Sequence, residues 1–163
     1  MLVIDTAVAI VVNALVFPLL LLAAGLPPPR AIFGADGALL DATLATACPV
    51  VLMTILMTLV LRARFRRQVP EDAHSLLPRF PRLPAAVIIR SFALAIVALM
   101  LLVPVRLAVI ESLGMLPMNT KSHLFLNMFH GCLIGIVFMT VIFVGTLTEF
   151  RDDRAAEPDE PHG

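Results

Sequence analysis

Four side chains capable of chemistry fall at similar depth within the apolar runs of this chain: Asp41, Arg106, Asn127 and His130. His130 lies six residues into a run opening at Leu124, about 9 Å along a helix. Arg106 stands four residues before the end of another run at Ile110, about 6 Å. Asp41 is near the start of its own run. Asn127 precedes His130 by three residues, which places both on one helix face. A carboxylate, a guanidinium, an amide and an imidazole in one layer could bind an anion or handle a proton, imidazole being the group that titrates near neutral pH. The plainer expectation is that Arg106 snorkels outwards to the headgroups and His130 makes one structural hydrogen bond, and the sequence favours it.

Other candidates are weaker. Cys48 and Cys132 sit about 12–14 Å into their runs and read as small buried thiols, since the C-x-x-C pair of a thiol–disulfide enzyme is missing. Gly131 and Gly135 form a GxxxG pattern in an apolar run, which lets a neighbouring helix approach closely and marks a packed face. Asn13 reads as an interhelical hydrogen-bonding group. No Glu-x-x-His or Cys/His cluster points to a metal, a single intramembrane His argues poorly for haem, and no phosphate loop or nucleophile elbow is present. The expectation is therefore no cofactor, no metal and no catalytic residues.

The elements that must position these groups are four apolar runs: residues 4–26, 39–61, 85–110 and 124–148. The 163-residue chain is 60% hydrophobic and 15% charged, with a mean hydropathy of +0.97. Its apolar residues come in blocks of roughly the 20 that a spanning helix needs, and 163 residues cannot build a core that hides four helices apolar all round. The fold class predicted is all-α, an integral membrane bundle of four transmembrane helices. One domain covers 1–151, and 152–163 forms a disordered acidic tail. The first run is too long, and its start too poor in Lys and Arg, for a signal peptide. Arg90 and Arg106, about 24 Å apart on one helix, are expected to snorkel in opposite directions.

Arg62, Arg64, Arg66, Arg67, Arg79 and Arg82 carry half of the twelve basic residues and lie between the second and third runs. Residues 70–77 there suggest a short helix on the headgroups. By the positive-inside rule this link is cytoplasmic, as are both termini; the setting is a bacterial inner (plasma) membrane. The net charge is zero, so nothing draws the chain to nucleic acid. Pro18 and Pro104, Cys48 and Cys132, and Phe65-Arg66 and Phe150-Arg151 recur at offsets near 85. They suggest a tandem repeat of two helical hairpins, about 1–66 and 84–151, in parallel orientation. These features give a bilayer protein that is a homo-oligomer or has a membrane protein partner. Its leading function is that of a non-catalytic accessory or assembly subunit acting through helix packing. The alternatives are a small oligomeric transporter or channel using the outer polar layer, and a membrane redox or enzyme subunit.

Overall fold

The computed structural model describes residues 2–23, 25, 27–68, 84 and 86–155. These are helical apart from short connections, and no strand occurs among them. The first apolar run forms α1 (Leu2–Val11) and α2 (Phe17–Ala23), joined by a π-helical turn over Val12–Val16. Pro18 explains that turn. It has no N–H to give the Ala14 carbonyl, and its ring would strike that carbonyl in a regular helix. A wider turn just before the proline relieves both problems.

The other runs give α3 (Ala38–Gln68), α4 (Val87–Ser112) and α5 (Thr120–Ala155). Both α3 and α5 outrun their apolar stretches. Apolarity stops where lipid would stop, but Arg62–Arg67 and Glu149–Arg151 are good helix formers with no proline among them, so the backbone continues. Four residues expected in the disordered tail, 152–155, are therefore helical. The expected short helix at 70–77 lies outside the described residues. Three helices are long and apolar enough to cross a membrane: Ala38–Phe65, Val87–Ser112 and Thr120–Phe150. The first apolar segment, Ile4–Leu20, is shorter. Three spanning helices, not four, thus rest on length and composition.

The helix ends are built locally. The Ala31 and Ile32 carbonyls accept from the Ala38 and Leu39 N–H groups at 2.8 and 3.0 Å, satisfying donors that open α3. Gly114, at φ +58°, closes α4 in the left-handed cap that glycine favours, with Met115 N–H donating to the Ile110 carbonyl. Asn119 caps α5, its Oδ1 accepting from Ser122 N–H at 2.8 Å. Pro29 and Met118 join the two loops at this end, the Met118 N–H donating to the Pro29 carbonyl at 2.9 Å.

Helix α3 packs on α4 and α5, and α1 packs on α5 from the other side. The shared core is apolar: Val50, Met53, Ala98, Ile134, Met139 and Ile142 are all buried. The outside is apolar too. Ile88, Phe92, Ile96, Met100 and Leu101 on α4 are all more than half exposed. Water would penalise that surface and lipid would not.

Candidate functional site

The polar layer expected from the sequence is assembled from three helices. Asp41 projects from the first turn of α3, Arg106 from two turns before the end of α4, and His123, Asn127 and His130 from the first three turns of α5. The Arg106 fork spans the gap. Nη1 donates to Asn127 Oδ1 at 3.0 Å, and Nη2 to Asp41 Oδ2 at 2.5 Å. The second Asp41 oxygen lies 2.9 Å from His123 Nε2. Asn127 Nδ2 donates back to the His123 carbonyl at 3.1 Å, which fixes the amide so that its oxygen faces the guanidinium. Arg106, only 3% exposed, His123 and Asn127 are buried, and Asp41 is half-buried.

Arg106 therefore does not snorkel, contrary to the sequence expectation. Partners on two neighbouring helices lie within reach of both terminal nitrogens, and a satisfied inward rotamer outcompetes an outward stretch. Arg90 departs in the same way and is fully buried. Its Nε donates to the Pro84 carbonyl at 2.9 Å, Nη1 to Thr146 at 3.2 Å, and Nη2 to Glu149 at 2.5 Å. Glu149 also pairs with Arg62 of α3, so a second charged layer ties α3, α4 and α5 at the opposite end. Beside it, Arg64 reaches Asp5 of α1 at 2.6 Å.

Of the four candidates, Asp41, Arg106 and Asn127 are joined directly. His130 lies about one turn deeper, and its hydrogen bond goes to Thr46 instead. Its Nε2 is 2.8 Å from the Thr46 hydroxyl, which itself donates to the Ala42 carbonyl at 2.7 Å, so His130 Nε2–H is the donor to Thr46.

Among known proteins the chain matches no family, no curated protein and no solved structure.

The site must be read from its own chemistry. Sequence reasoning passed over His123, although it lies four residues before Asn127 and seven before His130, the spacing of a single helix face. Thr46 gave no signal beyond its position on α3. A small pocket of about 60 Å³ opens beside the cluster. Pro27, Pro29, Asp36, Leu40, Asp41 and Leu44 line it, so Asp41 borders both the buried network and an opening. With the Asp36 and Asp41 carboxylates on the opening, the arrangement can take up a proton or a cation without exposing Arg106.

The remaining candidates divide. Gly131 and Gly135 face the first helix. A Cβ at Gly131 would lie 2.2 Å from the Asn13 carbonyl oxygen, and one at Gly135 would lie 2.9 Å from Ile10 Cα. Asn13 is buried, its amide donating to the Ala9 carbonyl at 2.7 Å and to the Met53 sulfur at 3.2 Å. Cys48, expected as a buried thiol, is exposed on the outer face of α3, and Cys132 is half-buried. Nine residues of depth along a helix do not specify which way a side chain turns.

Proposed function

We propose that this chain is a small polytopic membrane protein of the transport class, with the outer polar cluster as its working site. In this reading all four apolar segments cross a bacterial inner membrane and both termini are cytoplasmic. One observation carries it: Arg106 is buried between three helices and bonded to Asp41 and Asn127 instead of reaching for headgroups. An Arg costs about 2.5–3.5 kcal/mol at a helix centre on insertion scales and less towards an end, and an ionisable group that faces a bundle interior marks a pathway by default. A protein acting through packing alone could fill these positions with apolar side chains at less cost. The test is flux through proteoliposomes of the purified chain, with Arg106→Lys beside the parent. Lysine keeps the charge but loses the planar fork. Flux in the parent, reduced in Arg106→Lys, supports the reading; equal flux in both removes Arg106 from the mechanism.

The accessory or assembly role remains as a second reading; the Gly131 and Gly135 face is taken by the chain's own first helix, so a partner would dock on the exposed apolar face of α4. A mild-detergent pull-down that returns a stoichiometric membrane partner, with no flux from the chain alone, selects it.

The tandem repeat also gains support. Helix α1 packs on α5 as α4 packs on α3, the pattern a two-fold axis relating the hairpins would give. The pairs Asp5–Arg64 and Arg90–Glu149 both join residues 59 apart, with acid and base exchanged.

A further inference from the structure

Polar side chains are buried at intervals from one end of the bundle to the other. On α3, Thr46, Thr54 and Thr58 are buried, and the half-buried Asp41 and Arg62 stand at the two ends. Asp41 to Arg62 is 21 residues (62 − 41), or about 31 Å at 1.5 Å per residue, close to the ~30 Å of a bilayer's hydrocarbon. His130 faces Thr46, and Asn13 touches Met53, the residue before Thr54. At the far end Glu149 takes up Arg62 and Arg90.

Thr54 and Thr58 are the unusual members. Thr43, Thr46, Thr140, Thr146 and Thr148 each donate to the carbonyl four residues back. Thr54 and Thr58 do not. Both are fully buried, and neither hydroxyl has a hydrogen-bond partner among the described residues. A buried hydroxyl left unsatisfied costs about 1–3 kcal/mol, so two in succession, one turn apart on the same face, call for a function. The terminal carboxylates differ from everything between them: the Asp41 and Glu149 side chains are 14% and 21% exposed, while the threonines between are sealed.

We propose that the chain passes protons between Asp41 and Glu149 along this file, an inference that rests on the transport reading. The ends carry carboxylates that can take up and release a proton. The interior offers hydroxyls and one imidazole, which relay by breaking one O–H or N–H bond as the next forms. His130 accepts on one ring nitrogen while giving from the other, so charge moves and no atom is consumed. The longest interval, Thr46 to Thr54, is about 12 Å along α3 and is crossed by water that enters when the helices part, which takes room as well as polar partners. The close helix contact at Gly131 and Gly135 leaves no bore there for a hydrated ion, and a proton needs none. Arg106 and Arg90 each pair with a terminal carboxylate and hold it in place at its end of the file.

The experiment uses vesicles containing the purified full chain, a pH-sensitive dye inside, and a potassium diffusion potential. The parent is expected to move protons faster than empty vesicles. Thr54→Val and Thr58→Val, which keep shape and remove only the hydroxyl, are expected to lower proton flux by at least about tenfold. Thr140→Val, on the exposed face of α5, leaves it unchanged. Melting temperatures of both test variants should equal or exceed the parent's, because no hydrogen bond is removed. Proton flux equal to the parent's in both variants overturns the file, as does a lower melting temperature, which would show a structural role. If the parent passes no protons but moves sodium or chloride in the same vesicles, the file falls and the transport reading stands. If it moves none of these, both fall.

Discussion

The Arg106 guanidinium is bonded through two of its three nitrogens, to Asp41 on α3 and Asn127 on α5, and its Nε has no partner among the described residues. Removing one member of such a pair leaves the other charge buried, at about 3–5 kcal/mol, whereas removing both leaves little charge to desolvate. Asp41→Asn and Arg106→Gln should therefore each destabilise the protein strongly. The double variant should cost less than the sum of the two by at least about 1 kcal/mol. Chemical unfolding in detergent gives the cycle, and additive effects would mean that the two side chains do not act as a pair. Helical rise made the shared level of Asp41, Arg106 and Asn127 legible in the sequence, because 1.5 Å per residue measures depth without any structure. The direction of each side chain was not legible. Depth is a property of one helix and direction depends on its neighbours, which is why Arg90 and Arg106 turn inwards and Cys48 turns out.

At the scale of elements, the tightest contact lies where α5 meets the π turn. Even alanine does not fit at Gly131, since its Cβ would lie 2.2 Å from a backbone oxygen that cannot rotate away. At Gly135 the nearest atom is at 2.9 Å, and part of the crowding is the movable Ile10 side chain. Gly131→Ala should thus lower stability by about 1–3 kcal/mol, and Gly135→Ala by less. Thermal melting in detergent checks the order; a Gly131→Ala protein that melts with the parent would mean that α1 does not lie against α5. Pro18→Ala bears on the same joint. Without the proline the turn over Val12–Val16 has no reason to widen, and restoring regular helix would rotate Asn13 away from Met53. Hydrogen exchange at 9–16 should then change, while exchange in α4 stays as it was. The sequence marked Pro18 as a site of distortion and Gly131-x-x-x-Gly135 as a packed face. It could not say that these two features face each other, because pairing between helices is non-local.

The whole molecule has an apolar surface and a charged interior at both ends, the reverse of a water-soluble domain. Block hydropathy made that legible, since long apolar runs with few charges have one stable solvent. The ends of α3 and α5 were less legible, because hydropathy reports the edge of the lipid and not the end of the helix. The proposed orientation rests on the Arg distribution. Phosphatase reporters fused after Gly37 or Asn119 should be active, and those after Arg66 or Gly163 inactive. Activity at Arg66 would turn the molecule over, and matching behaviour at Gly37 and Arg66 would remove a crossing by α3.

The two ion pairs that span 59 residues have a consequence for how the protein is made. Asp5 and Arg64 belong to the first hairpin, Arg90 and Glu149 to the second. Each hairpin therefore carries its own neutralising partner at its base, and the first can settle in lipid with Asp5 compensated while the second is still being synthesised. Arg62 of the first hairpin gains its tie to Glu149 only once the second arrives, and at the other end every tie is of that later kind. Asp41 awaits Arg106 and His123, and Thr46 awaits His130, all of which emerge later. Biogenesis is thus ordered by electrostatics: each hairpin brings its own counter-charge, and the polar cluster comes into being only when the second hairpin docks on the first.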